Sequence, residues 1–246
     1  MIARRLSRLN LGEAFYAILA LDHGLTVGVG EGVPAQRLED VANDCAGEIG
    51  GVVLNYGMAS SWASRLRVPI VLQCFGAPLG AQRRVKTASI EQALRLDAAA
   101  VAVQLNLALP DVSAQTREIC DFVSSAHVME MPVLFMVSGV NESNLSDVAK
   151  SIRVCQELGA NLIKVSCKFE QATSSAAKED MTSIIRHAPP VLIAGGPANA
   201  DIVSVAREAH RCGFSGYCIG RSIFHADSPR LVAAGLTRAF QSNRGQ

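Results

Sequence analysis

Short, nearly unbroken apolar runs recur along the chain at Ala17–Asp22, Gly51–Asn55, Pro69–Cys74, Ala100–Leu105, Pro132–Val137, Asn161–Ser166, Val191–Ala194 and Gly216–Ile219. Between most of them lie segments with helical spacing: Ala35–Gly47, Ser89–Leu96, Val112–Met129, Leu145–Leu158, Lys178–His187 and Ala198–Cys212. A strand that alternates with polar residues buries one face, whereas a continuous apolar run is buried on both. Eight such runs alternating with helices predict a closed parallel sheet wrapped by helices, an α/β fold of the single (β/α)8 TIM-barrel class. The weakest link is Gly57–Leu66, which is short for a covering helix. Gly47, Gly159 and Gly213 read as helix C-caps before strands, while Pro69 and Pro132 open strands. The glycine-rich stretch Thr26–Gly32 follows a strand end and reads as a loop on the active face.

The chain has 246 residues, close to the ~250 typical of one such barrel. We therefore expect residues 1–246 to form a single barrel domain, with residues 1–15 as an N-terminal helix closing the barrel floor. Hydrophobic residues make up 49% and charged residues 18%, enough for a barrel interior plus an outer ring of helices. The formal net charge is +1 with basic residues scattered, which argues against a nucleic-acid partner. No apolar run approaches the ~18 residues of a membrane span, and no signal-peptide pattern follows the first arginines, so no membrane partner and a cytoplasmic location are expected. The seven cysteines are widely spaced without a C-x-x-C, and read as reduced packing residues. The histidines show no metal-ligand spacing, so no metal and no cofactor are expected. A homo-oligomer is expected.

Lys164 carries the chemistry. It ends the apolar run Gly159-Ala-Asn-Leu-Ile-Lys164, and a lysine is among the residues least often buried without a reason. A lysine amine held out of water can attack a carbonyl and form a Schiff base. The alternative is a side chain that snorkels to solvent or pairs with Asp22. Lys168, four residues on, reads as a solvated loop residue. Downstream, the runs ending in Gly195-Gly196 and Gly220-Arg221 offer bare backbone amides to a phosphate, although each pair could be only a tight turn. Asp22 is a candidate acid/base or a turn cap before His23-Gly24, and His23 is a candidate site residue or a packed ring. In a barrel of this kind the strand ends meet at one face, which also gathers Asn55-Tyr56, Gln73-Cys74, Gln104-Leu-Asn106 and Ser138-Gly139.

Arg4-Arg-Leu-Ser-Arg-Leu9, Ile18-Leu-Ala-Leu-Asp-His-Gly24, Gly159-Ala-Asn-Leu-Ile-Lys164, Ile193-Ala-Gly-Gly-Pro197 and Gly216-Tyr-Cys-Ile-Gly-Arg-Ser-Ile-Phe224 resemble, in order, the motifs of the class I aldolases of the DeoC/FbaB type. That family includes archaeal-type fructose-bisphosphate aldolases and 2-amino-3,7-dideoxy-D-threo-hept-6-ulosonate synthases. The resemblance implies that Lys164 is the Schiff-base lysine and Asp22 the acidic residue of the first strand. It also implies that Gly195, Gly196, Gly220 and Arg221 bind phosphate. The chain departs from the family near the end of the fifth strand. A tyrosine acid/base within a Y-P-R-G-like sequence is usual there, and Phe135-Met-Val-Ser-Gly139 stands in its place. Phe135, Met136 and Val137 cannot transfer protons, and Ser138 cannot do so unaided. Asp22 is the expected substitute, with Tyr56 as a second candidate whose alternative is rim packing.

These readings make the protein a lysine-dependent, metal-independent aldolase or transaldolase acting on a phosphorylated sugar, a ketose or its dihydroxyacetone-phosphate fragment. The competing readings are a phosphate-binding barrel isomerase with Asp22 as base, and a catalytically impaired sugar-phosphate-binding homologue. Borohydride separates the first from the second, because only an iminium is reduced to a stable adduct.

Overall fold

A computed structural model describes residues 1–12, 15–27, 33–81, 83–169, 175–195 and 201–241. Eight parallel strands close into a barrel: β1 (Tyr16–Ala20), β2 (Gly51–Asn55), β3 (Ile70–Gln73), β4 (Ala100–Asn106), β5 (Val133–Ser138), β6 (Leu162–Val165), β7 (Val191–Ala194) and β8 (Gly216–Ile219). Strand β8 returns to β1, with Tyr16 opposite Gly216 and Ile18 opposite Cys218. A helix follows each strand: Ala35–Asp44, Tyr56–Trp62, Ile90–Arg95, Val112–Val128, Leu145–Glu157, Ser175–His187, Ile202–Arg211 and Pro229–Gln241. The protein is a single (β/α)8 barrel.

Period-two alternation explains why the strand runs are continuous. Ile18, Val53, Val71, Ala102, Leu134 and Leu162 fill the barrel interior. Their neighbours Leu19, Leu54, Leu72, Val103, Phe135 and Ile163 pack outward against the helices. Both faces are dry, so neither can be polar. Pro69 and Pro132 lie one residue outside β3 and β5, where their carbonyls accept from Val52 and Val101 at 3.0 and 2.9 Å. A proline has no N–H for the ladder, which trims the expected strands at that end.

The weak link after β2 is covered by a helix of seven residues, Tyr56–Trp62, whose Ala59 and Trp62 are buried. Gly159 and Gly213 are left-handed at φ +89° and +91°, as expected of helix C-caps, but Gly47 is not. Asp97 and Glu130 do the same job at φ +49° and +53° without a glycine to mark them. A two-stranded hairpin, Phe75–Gly76 with Val85–Lys86, rises from the end of β3. Each arm has two residues, too few for any periodic signal.

The expected helix over residues 1–15 is shorter. It spans Ile2–Ser7, after which Asn10 bridges to Tyr16 and Gly12 turns at φ +117°. Leu9 is fully buried in the interior cluster, with Leu6 packed against it. Arg8 forms a two-pronged pair with Asp97, at 2.9 Å for both oxygens, and Arg5 donates to the Ala98 carbonyl at 2.9 Å. Both partners precede β4, so these contacts belong to the N-terminal ends of the strands. Among the described residues, no helix is long and apolar enough to cross a membrane.

Candidate active site

The alternation that fills the interior continues two residues past its apolar layer and turns polar. On that parity Asp22, Asn55, Gln73, Gln104 and Lys164 enter the opposite end of the barrel, its mouth. Asp22 is 5% exposed, and a buried carboxylate demands compensation. Two amides supply it: Gln104 Nε2 donates to Asp22 Oδ2 at 3.2 Å and Gln73 Nε2 to the same oxygen at 3.4 Å. Asn55 Nδ2 fixes the backbone by donating to the Asp22 carbonyl at 2.8 Å. The other carboxylate oxygen, Oδ1, has the His23 ring 4.0 Å away at Nδ1. The amide pair thus anchors one oxygen and leaves the second toward the histidine side. Asn55 Oδ1 and Gln73 Oε1 are buried without a hydrogen-bond partner among the described residues, so two acceptors stand ready beside the carboxylate.

Lys164 is half-buried between Met136 of β5 and Leu192 of β7 in register. Its charge acts on the thiol of Cys218, a fully buried residue of β8. Burial pushes that thiol up to about 11, the Lys164 charge pulls it down, and the Asp22 charge pushes it up. Cys218 therefore feels both the amine and the carboxylate. Among the described residues, no ion pair within 4.0 Å joins Lys164 to a carboxylate. The expected contrast with Lys168 is present: Lys168 lies in the loop beyond β6, about half exposed, 3.8 Å from Glu142.

Gly195 and Gly220 end β7 and β8, and Gly196 lies outside the described residues. Gly220 has a packing reason to be glycine. A Cβ there would run into the Ala20 carbonyl and come to 2.7 Å from His23 Cε1. At Gly195 a Cβ would approach Ile219 Cγ2 at 2.9 Å. Close strand packing thus requires both glycines, independently of any ligand. Gly220 also opens the short helix Arg221–Phe224, where Arg221 is half-buried. The buried Ser222 hydroxyl has no hydrogen-bond partner among the described residues.

His23 opens the helix His23–Val27, half-buried, with its ring edge-on to Phe224 at 5.8 Å. The first part of Thr26–Gly32 is thus helical, and residues 28–32 lie outside the described residues. Tyr56 begins its helix on the rim, 37% exposed, while its neighbour Asn55 turns toward Asp22. Asp22, His23 and Gly220 meet at the ends of β1 and β8, Lys164 shares the inward face at that end of the barrel, and Tyr56 stands on the rim. Gln73 and Gln104 were legible as polar strand ends without assigned partners, Cys218 as one of three strand cysteines able to line a pocket, and Arg84 was not legible at all. Arg84 sits at the hairpin beyond β3 and reaches Ser138 Oγ at the end of β5, 3.5 Å from Nη2. No motif flags it.

A family model described as DeoC/LacD family aldolase matches residues 16–226. The chain is 27% identical to a 2-amino-3,7-dideoxy-D-threo-hept-6-ulosonate synthase of Halobacterium salinarum, over 95% of this chain and 89% of that protein. It is 28% identical to a 2-amino-4,5-dihydroxy-6-oxo-7-(phosphonooxy)heptanoate synthase of Streptomyces griseus, over 89% of this chain and 82% of that one. Among solved structures, an archaeal fructose 1,6-bisphosphate aldolase superposes with a TM-score of 0.82 at 22% identity, covering 99% of this chain and 100% of that chain. A Schiff-base-forming fructose-1,6-bisphosphate aldolase superposes at 0.81 with 23% identity, covering 97% and 99%. These superpositions carry the fold, and the family match carries the assignment: the chain is a barrel enzyme that belongs to the DeoC/LacD aldolase family.

Proposed function

We propose that this protein is a lysine-dependent aldolase or transaldolase that makes or breaks a carbon–carbon bond in a phosphorylated ketose, with Lys164 as the nucleophile. The observation that carries the reading is the setting of Lys164. It is a half-buried amine on the inward face of β6, flanked in register by Met136 and Leu192, at the same end of the barrel as the buried carboxylate of Asp22. The named relatives that support the substrate class are synthases and aldolases of phosphorylated or sugar-derived ketones.

The Lys164 amine adds to the ketone carbonyl, and loss of water leaves an iminium. In cleavage, Asp22 takes the proton of the substrate hydroxyl next to the scissile bond. The bond's electron pair moves into the iminium, leaving an enamine and releasing an aldehyde. The enamine is then protonated, or it adds to an acceptor aldehyde by the reverse path. Asn55 Oδ1 and Gln73 Oε1, buried acceptors beside Asp22, suit the hydroxyl donors of a sugar. The ligand phosphate would lie at Gly195, Gly196, Gly220 and Arg221, where the Ser222 hydroxyl is available to it. All seven cysteines are free and six are buried, which suits a reducing cytoplasm.

The test is borohydride reduction in the presence of dihydroxyacetone phosphate, followed by peptide mass spectrometry. The expected adduct maps to Lys164 and vanishes in Lys164→Ala and Lys164→Arg, since arginine cannot serve as the amine. An adduct retained in Lys164→Ala, or one mapped to Lys168, rejects the assignment. A protein that interconverts sugar phosphates without trapping would instead be the isomerase.

A further inference from the structure

The end of β5 lacks the phenol expected of the family, yet it is not chemically empty. Its inward positions are Met136, beside Lys164 in register, and Ser138, two residues nearer the mouth. From a rise of ~3.3 Å per residue and a strand spacing of ~4.8 Å, the Ser138 Cα lies about 8 Å from that of Lys164. Lys164 carries its amine toward the same end, so a short carbon chain on that amine spans the gap.

An arginine stands on Ser138. Arg84 follows β3 and enters the mouth from the hairpin. Its neighbours Arg83 and Val85 are exposed while it is half-buried. Nη1 donates to the Ala81 carbonyl at 2.8 Å, and Nη2 lies 3.5 Å from Ser138 Oγ. Partial burial lowers its pKa from the ordinary arginine value, but a guanidinium stays charged. A fixed cation taken partly out of water acts on nearby charge more strongly than one in bulk solvent. The end of β5 lies across the mouth from β8 and β1 in the strand order, with Lys164 on the adjacent strand. Arg84 is therefore on the side away from the proposed phosphate site, where the acceptor half of a bound ketose would extend.

We propose that Arg84, steadied by Ser138, stabilises the negative charge that develops on the acceptor aldehyde's oxygen as the carbon–carbon bond forms or breaks. The inference rests on the aldolase reading. In the addition direction the enamine π pair forms the new bond to the carbonyl carbon and the Lys164 nitrogen becomes an iminium. The carbonyl π pair goes to oxygen, where the Arg84 N–H groups hold it. Protonated Asp22 then supplies the proton that makes the hydroxyl. Arg84 thus provides charge stabilisation and Asp22 the proton, dividing between two side chains what one phenol would do.

The experiment separates the donor half-reaction from the acceptor step. Deuterium exchange into dihydroxyacetone phosphate in D2O needs Lys164 and proton transfer but no acceptor oxygen. Condensation is measured with two acceptors, uncharged glyceraldehyde and glyceraldehyde 3-phosphate. Arg84→Gln should lower the condensation rate roughly 10²–10³-fold with both aldehydes, the range for losing one oxyanion donor, while exchange and borohydride trapping stay at the wild-type level. Arg84→Lys, which keeps the charge but loses the fork, should recover part of the rate, and Ser138→Ala should lose less than Arg84→Gln. The proposal is overturned if condensation is unchanged in Arg84→Gln, or if exchange falls in parallel with it. It is also overturned if the defect is a raised KM confined to the phosphorylated aldehyde, which would make Arg84 an anchor for a distant anion. Absence of exchange and trapping in the wild-type protein would reject the aldolase reading itself, and this inference with it.

Discussion

The apolar interior and the mouth of the barrel are lined by the same strands, two to four residues apart along them, and they are opposite in chemistry. Ile18, Val71, Ala102 and Leu162 are interior core residues, and the next inward positions after them lead to Asp22, Gln73, Gln104 and Lys164. Toward the floor the interior side chains form a hydrophobic cluster that includes the fully buried Leu9. At the mouth a carboxylate is buried at 5% exposure on two amide donors, and two acceptors have no partner among the described residues. Burying polar groups with unmet hydrogen bonds opposes folding. The mouth therefore carries groups that stability alone would replace, and the floor carries the packing that tolerates them. One strand order serves both because alternation fixes which residues point inward but not what they are.

Substitutions that act on one end only would sharpen this division, and those that cross it would break it. Leu9→Ala, at the floor, should lower the unfolding free energy by about 2–5 kcal/mol, the range for emptying a buried leucine site. Turnover per folded molecule should be unchanged. Urea denaturation alongside a turnover assay reads both, and a loss of turnover at full stability would place the floor in the mechanism.

At the mouth the pattern reverses. Asp22→Asn should lower turnover at least ~10²-fold, as expected on losing an acid/base group, while borohydride trapping at Lys164 persists. Near-normal turnover would reject Asp22 as the proton carrier and return attention to Tyr56 on the rim. A smaller effect is expected at the phosphate end. Arg221→Ala should weaken dihydroxyacetone phosphate by about 1.5–3 kcal/mol, the worth of a charged hydrogen bond, and leave unphosphorylated dihydroxyacetone unaffected. Calorimetric titration with both ligands checks it, and equal loss for both would exclude a phosphate contact. Gly220→Ala is a poor probe of the same site, because the added Cβ meets the Ala20 backbone before it meets any ligand.

The smallest effect belongs to the floor surface. Arg8→Ala removes a two-pronged pair with Asp97, whose side chain is 79% exposed. An exposed pair of this kind contributes about 0.2–1 kcal/mol and weakens with salt. A larger loss would show that the N-terminal segment is held by this pair rather than by Leu9.

Strand count, strand order and the inward placement of Lys164 were legible because they rest on local patterns. Continuous apolar runs, helical spacing between them and glycines at two helix ends each involve residues near one another in the chain. The hairpin after β3 was not legible, since its two-residue arms fall below any period. Asp97 and Glu130 take left-handed caps that only the packing around them imposes. Gly220 was read as a bare amide, whereas its approach to Ala20 exists only once β8 closes against β1.

By itself the sequence determined the barrel and a lysine at the end of its sixth strand, because burial on two faces is written into every apolar run. The tertiary structure alone decided what surrounds that lysine. Asp22 meets Gln73 and Gln104 across 51 and 82 residues of chain, and Arg84 meets Ser138 across 54. Hydrogen bonds at such separations are set by closure of the sheet, which brings strand ends together in space whatever their distance along the chain.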